Sequence, residues 1–345
     1  MSELIEQALR QRLQRHQGAG LWVVDENLAR SQQHPLPSGL DLLTNRYDLL
    51  PGLAACGPVQ FSDFDFSSWV HGTLDQAYYR VSKEKAVVHH VINQLSLRLK
   101  PGGRLWLLGG KQEGIKTYFT KARERLGEGG LHKLGKGDFV AELCRQGALG
   151  EPLDDQRYAE LRELELGGER FVSKPGLFGW DKIDQGSAWL IASLDEVWQR
   201  LAVARPRVLD LGCGYGYLSV HCARRAVDSV TATDNNAAAL AACARNLGAC
   251  GVGHQVVAAD AGDAVTGRFD LVICNPPFHQ GFAVEGELTD RFLRAAAGHL
   301  EANGQAAFVV NRFVPLERKA AALFGEIDTF ADNGRFKLVR LARPR

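Results

Sequence analysis

The sequence predicts an α/β protein of two tandem domains, each an open, mostly parallel sheet covered by helices. Three observations carry that expectation. In the carboxyl-terminal half, short apolar or β-branched runs alternate with helix-length periodic segments, the pattern of a parallel sheet with crossover helices. A glycine turn between a helix and a strand occurs twice, at Gly103 and Gly304, each followed eight positions later by a basic residue, Lys111 and Arg312. Finally, 345 residues with 45% apolar content suffice for two cores of ordinary size.

In chain order, Met1–Arg15 reads as an amphipathic helix with Leu4, Ile5, Ala8, Leu9 and Leu13 on one face. It lacks the apolar centre of a signal peptide. Leu21–Val24 is an early strand that runs into Asp25-Glu26-Asn27. Leu74–Tyr79 is strand-like, Lys83–Leu99 helical, and Lys100–Leu108 a turn and strand. A stretch around Gly150–Gly168 mixes Asp154, Asp155, Glu160, Glu163 and Glu165 with Arg157 and Arg162, as a solvated connector would. The domains are expected over 1–155 and 156–345.

The second half reads more clearly. Arg207–Leu211 is a strand, Gly212-Cys213-Gly214-Tyr215-Gly216 a glycine turn, and Leu218–Ala226 a helix. Ser229–Thr233 is a strand ending at Asp234, Ala237–Leu247 a helix, and His254–Ala259 a strand ending at Asp260. Phe269–Cys274 is a buried strand, Leu288–Leu300 a helix, and Ala306–Val310 another strand. The order strand, helix, glycine turn, strand repeats that of Leu74–Leu108, which predicts an internal duplication. Where the second copy has Asn275-Pro276-Pro277-Phe278, the first has Arg80-Val81-Ser82-Lys83, and it has no GxGxG turn. The first copy is therefore expected to have lost both cofactor and chemistry.

Composition excludes several classes. Forty-one basic residues nearly balance forty acidic ones, so bulk polyanion binding is not indicated. Seven cysteines without CxxC spacing suit a reduced, cytoplasmic protein. No run approaches the length of a membrane span. His89-His90 has no partner at metal-ligand spacing, and no metal is expected.

The chemistry is concentrated in Asn275-Pro276-Pro277-Phe278. Two prolines directly after a strand end it and stiffen the turn. The asparagine is pushed toward extended geometry. Such a turn offers an amide side chain, freed carbonyls and an aromatic ring, which suit a planar amine or amide nitrogen. Upstream, Gly212, Gly214 and Gly216 allow close approach of a ligand to the main chain. Asp210 precedes them and can hold an ammonium group. Asp234 is placed for two ribose hydroxyls, and Asp260 for an adenine amine. A dinucleotide site would prefer GxGxxG spacing, which disfavours an oxidoreductase.

These motifs resemble class I methyltransferases, with a Rossmann-like fold and S-adenosyl-L-methionine as cofactor. Phe178–Ser187, Asn275-Pro276-Pro277-Phe278-His279 and Gly334-Arg335-Phe336-Lys337 resemble bacterial ribosomal RNA guanine-N2 methyltransferases, specifically those of 16S rRNA. The resemblance spans Phe171–Arg345 and extends more weakly into the first domain, which in that family is a degenerate methyltransferase domain. It implies methylation of a guanine 2-amino group, 16S rRNA or the small ribosomal subunit as partner, a monomer, and a cytoplasmic setting. It implies catalysis by Asn275, Pro276, Pro277 and Phe278, with Asn275 also beside the cofactor and Gly186 and Ser187 near its methionine moiety. Members often have Phe-Ser-Arg where this chain has Phe178-Gly179-Trp180, which leaves Lys182 as a substitute RNA contact. Rival readings are the same reaction on 23S rRNA, a protein glutamine amide methyltransferase, an adenine-amine DNA methyltransferase, and a noncatalytic RNA-binding assembly factor. Two basic runs are candidate phosphate contacts: Lys116, Lys121, Arg123, Arg125, Lys133 and Lys136, and then Arg335, Lys337, Arg340, Arg343 and Arg345.

Overall fold

The computed structural model describes residues 2–26, 28, 35–277 and 282–345, with side chains throughout except at 282–286. The chain divides into two compact units, Met1–Glu160 and Leu161–Arg345. The division falls within the charged stretch Gly150–Gly168, five residues after the expected 155/156 boundary, and the first part of that stretch is tied into the first unit. Leu153 and Tyr158 are buried in its core. Asn93 Nδ2 donates to the Leu153 carbonyl over 2.8 Å, and Tyr158 donates its hydroxyl to Asp63 Oδ1 over 2.6 Å. His89 and His90 bond Asp154 and Asp155 from the same helix, which gives that pair a structural role.

The first unit runs α1 (Glu3–Gln14), β1 (Gly20–Val24), β2 (Leu40–Thr44), α2 (Leu50–Ala54), β3 (Val59–Phe61), β4 (Leu74–Arg80), α3 (Lys85–Arg98), β5 (Leu99–Gly110), α4 (Ile115–Leu126), β6 (Gly127–Gly135) and β7 (Asp138–Arg145). Helix α1 buries Ile5, Ala8, Leu9 and Leu13, whereas Leu4 is exposed. The second unit opens with a hairpin, β8 (Arg162–Leu166) and β9 (Glu169–Ser173). It continues with α5 (Gln185–Ala192), α6 (Asp195–Trp198), β10 (Arg207–Leu211), α7 (Tyr217–Ala223), β11 (Ser229–Asp234), α8 (Ala237–Gly248), β12 (Gly253–Ala258), β13 (Phe269–Cys274), α9 (Phe282–His299), β14 (Leu300–Asn311), α10 (Leu316–Ala320), β15 (Phe324–Asp332) and β16 (Phe336–Pro344). The hairpin turn Gly167-Gly168, with φ of 60° and 82°, folds back a segment expected to be open connector. None of the helices of the described residues is long and apolar enough to cross a membrane.

Among the described residues, each unit holds one seven-stranded sheet. Their orders are β3-β2-β1-β4-β5-β7-β6 and β12-β11-β10-β13-β14-β16-β15, so the topology is the same twice. In each, five strands pair parallel and a closing hairpin pairs antiparallel. Alternate side chains of the central strands enter cores on opposite faces: Leu209 and Leu211 on one, Val208 on the other.

The duplication reaches single residues. The pairing of β4 with β5 shifts register between Leu74 and Gln76, and that of β13 with β14 shifts between Phe269 and Leu271. A Cβ on Gly103 would sit 2.9 Å from the Leu74 carbonyl, and one on Gly304 2.9 Å from the Phe269 carbonyl. Only glycine lets the turn lie that close to the neighbouring strand. Asp75 accepts the Ala19 amide over 2.9 Å, as Asp270 accepts that of Arg207 over 2.8 Å.

Candidate active site

In the second unit, the loops after β10, β11, β12 and β13 emerge along one sheet edge at the strands' carboxyl ends. Chain order reverses between β10 and β13, the switch point where open α/β sheets bind ligands. Asp210 ends the interior of β10 and is fully buried. Its Oδ2 accepts the Ser219 hydroxyl over 2.5 Å, while Oδ1 has no hydrogen-bond partner among the described residues. Burial chiefly, with the Asp234 charge adding to it, pushes this carboxyl up to about 7.

The glycine turn follows. Gly212, Gly214 and Gly216 have φ of 79°, 54° and 91°. A Cβ on Gly216 would strike Cys243 Sγ at 2.8 Å, whereas one on Gly214 would meet nothing within 4 Å. The turn therefore packs tightly at its helix end and stays open at its middle. Asp234 holds it there: its Oδ2 accepts the Gly214 amide over 3.0 Å and its Oδ1 that of Asn236 over 2.9 Å. Asn246 fixes the outer side, donating to the carbonyls of Tyr215 and Val172 and accepting the Val172 amide from β9. Asp260, at the next strand end, is ion-paired with Arg291, a partner that its own sequence position did not announce.

Asn275 leaves β13 half-buried, Pro276 is buried and Pro277 exposed. The asparagine Nδ2 donates to Asp184 Oδ1 and to Ser187 Oγ, both over 2.8 Å. Asp184 also caps α5 by accepting the Ser187 amide over 2.9 Å. A carboxylate only accepts, so it dictates which end of the amide faces it. Both amide hydrogens are thereby spent, and the side chain presents its carbonyl oxygen. Gly186 packs between Asp184 and Val309, where a Cβ would lie 3.2 Å from each. Phe278 and His279 lie outside the described residues.

The structure thus brings Asp210, the three glycines, Asp234, Asp260, Asn275, Gly186 and Ser187 together at the carboxyl ends of one unit's sheet. Sequence reasoning missed Asp184 as a partner of Asn275. The only signal was its cap spacing to Ser187, which reads equally as an ordinary helix start. Three of the five cations in the carboxyl-terminal basic run are ion-paired within the unit, whereas Arg335 donates to Gln185 and Arg345 to the Ala321 carbonyl. Lys337 pairs with Glu317, Arg340 with Glu326 and Asp328, and Arg343 with Glu326. Arg125 of the other run is buried and donates to the Gly150 carbonyl. These acids are distant in sequence from the cations they neutralise.

Register shows what occupies the equivalent positions of the first unit. Trp22 stands where the second unit has Asp210, Val24 for Gly212, Thr44 for Asp234 and Arg80 for Asn275. Arg80 is buried, pairs with Glu113 over 2.5 Å and donates to the Val81 carbonyl. Glu113 in turn accepts the Gly110 amide over 2.7 Å. Asp63 sits two residues after β3, as Asp260 sits two after β12, and there it takes the Tyr158 hydroxyl.

The family termed "Methyltransferase small domain" matches residues 168–340. The chain is 30% identical over 283 residues to the ribosomal RNA small subunit methyltransferase C of Hahella chejuensis, which covers 78% of each protein. It is also 30% identical over 264 residues to the Yersinia pestis protein of that name, covering 76% of this chain and 72% of that one. A T. thermophilus 16S rRNA N2 methyltransferase, solved with AdoMet and guanosine, superposes with a TM-score of 0.80 at 23% identity, covering 97% of this chain and 92% of its own, which shows a shared fold. With relatives matched across both units and the small methyltransferase domain lying on the unit that carries the site, this chain belongs to the ribosomal RNA small subunit methyltransferase C family.

Proposed function

We propose that this protein transfers a methyl group from S-adenosyl-L-methionine to the exocyclic 2-amino group of a guanine in 16S rRNA, acting as a cytoplasmic monomer whose second unit alone does chemistry. The observation that carries the reading is the fixed amide of Asn275. An aromatic amine is a poor nucleophile because its lone pair is delocalised into the ring. The Asn275 side-chain carbonyl and the Pro276 carbonyl would accept its two hydrogens. That aims the lone pair and stabilises positive charge developing on the nitrogen, without reorganisation during reaction. Asp184 and Ser187 keep the asparagine from turning its NH₂ toward the substrate. Phe278 is proposed to stack on the base once it has left its helix.

The cofactor fits the residues present. The buried, unpartnered Asp210 Oδ1 is an acceptor that an ammonium, direct or through water, would satisfy. The open face of the glycine turn, Asp234 and Asp260 offer main-chain approach and acceptors for ribose and adenine. Gly186 and Ser187 would lie by the methionine moiety. When bound, the sulfonium supplies an electrophilic methyl group.

Mass spectrometry of nucleosides from 16S and 23S rRNA, with and without the gene, tests the substrate. Loss of N2-methylguanosine from 16S rRNA alone is expected. Loss from 23S rRNA alone, or from neither, would overturn the assignment.

A further inference from the structure

Three cations of the carboxyl-terminal basic run, Lys337, Arg340 and Arg343, are ion-paired, whereas Lys116, Lys133 and Lys136 of the other run, joined by Lys111, are gathered on one rim of the first unit. Lys111, Lys116, Lys133 and Lys136 are all exposed, and no ion pair involves any of them among the described residues. Three contacts bring them together at the carboxyl end of β5. The Lys111 amide donates to the Gly137 carbonyl at the tip of the β6–β7 hairpin over 2.8 Å. Lys136 is the other tip residue. Its φ of 37°, beside 99° at Gly137, is the twist of a two-residue hairpin turn normally given to asparagine or glycine. The Lys116 ammonium lies 4.9 Å from the centre of the Phe139 ring, and Phe139 is the cross-strand partner of Lys133. Directly opposed residues of an antiparallel pair project from the same face, so Lys133 and Lys116 share it.

The two acids that flank these lysines in sequence are held by other groups. Glu113 is held by Arg80 and the Gly110 amide, and Asp138 accepts the Ser2 hydroxyl. The equivalent rim of the second unit is built otherwise: Arg312 takes the place of Lys111 and is paired with Asp332 at 3.2 Å. In the first unit, the pole where a ligand would enter is filled by Arg80–Glu113, yet its border carries four exposed lysines in no ion pair among the described residues.

We propose that this lysine rim, Lys111, Lys116, Lys133 and Lys136, is a docking surface for the phosphate backbone of the RNA substrate. The proposal rests on the assignment of RNA as substrate. Lysines act there as point charges, which suits sequence-independent contacts that position rather than specify. Four separated ammonium groups on a strand-and-helix rim match a polyanion rather than a single small anion.

The test is the salt dependence of binding of the full-length protein to deproteinised 16S rRNA, read without methyl transfer. The fourfold glutamine variant (Lys111→Gln, Lys116→Gln, Lys133→Gln, Lys136→Gln) should lower affinity at least about tenfold near 0.1 M salt. It should flatten the slope of log affinity on log salt by about 0.7–0.9 for each phosphate that the lysines no longer neutralise. S-adenosylmethionine affinity should be unchanged, showing that the second unit is folded. Arg340→Gln with Arg343→Gln, neutralising cations already paired, should leave the slope unchanged. Wild-type slope and affinity in the fourfold variant would overturn the docking surface. A wild-type protein that binds 16S rRNA with this lysine-dependent slope but transfers no methyl group would instead remove the substrate reading and leave the surface standing.

Discussion

The two units share a strand order, a register shift, a glycine turn and an aspartate that fastens β1 or β10. They part at four positions. The second unit leaves Asp210 with a bare buried oxygen, opens the main chain at Gly214 and points the Asn275 carbonyl outward. The first puts Trp22, Val24, Thr44 and Arg80 at the places of Asp210, Gly212, Asp234 and Asn275, and pairs Arg80 with Glu113. Unpaired buried polar atoms cost stability unless something binds them. A unit that holds no cofactor can fill and pair such positions, and one that must hold it cannot. The lesson is that the sheet order and its register survive in both units while the residues at the strand ends differ.

The largest test of that contrast exchanges the residues that differ most in charge. Asn275→Arg should place a guanidinium beside Asp184 and seal the second site as Arg80–Glu113 seals the first. Methyl transfer should fall by about 10³-fold or more, the scale of losing preorganised acceptors, while equilibrium dialysis still finds S-adenosylmethionine bound. The reciprocal Arg80→Asn should gain no activity. It strips the partner from Glu113 and should destabilise the first unit by about 3–5 kcal/mol in denaturant unfolding. Activity within tenfold of wild type in Asn275→Arg would show that the contrast lies elsewhere.

A second test uses the difference at Asp210. Asp210, raised to about 7 in the fold mainly by burial, keeps a proton that the unfolded chain releases near its ordinary value of about 4. The folded state therefore binds more protons between those values, and stability falls as pH rises through that window, levelling above 7. From pH 5 to pH 8 the loss is roughly 3 kcal/mol, and it should vanish in Asp210→Asn. Trp22 gives the first unit no counterpart. Unfolding midpoints of the two proteins at both pH values measure this. A wild-type slope surviving in Asp210→Asn would assign the proton elsewhere.

Much of this was legible because it is local. The glycine turn, the acids at strand ends and the Asn-Pro-Pro turn lie within single loops, and the duplication showed through the Gly103 and Gly304 turns. What escaped depends on distance. Asp184 meets Asn275 from 91 positions away, and Lys337 finds Glu317 across an intervening strand. Strands β2 and β3 were not read at all, since Val59–Phe61 is too short to show a period. The first unit's decay was visible as missing motifs, but the Arg80–Glu113 plug was not, because an arginine followed by Val-Ser-Lys carries no sign of burial.

The smallest effect addresses the role of Ser187, for which sequence and structure give different emphases. Resemblance places it near the methionine moiety, whereas its hydroxyl oxygen accepts from Asn275 and its amide is the one Asp184 caps. Ser187→Ala keeps the backbone amide, and with it the helix cap. It removes one of two acceptors for the Asn275 NH₂, an interaction worth about 1 kcal/mol. Asp184 still dictates the amide's orientation, so the asparagine should loosen without turning over. The expected result is a kcat lower by about three- to tenfold with S-adenosylmethionine affinity unchanged, and near-complete rescue in Ser187→Thr, which restores the hydroxyl. A drop in cofactor affinity with kcat intact would mean that the hydroxyl serves the ligand. The two units would then differ by one more binding group, and Asp184 alone would hold the catalytic amide.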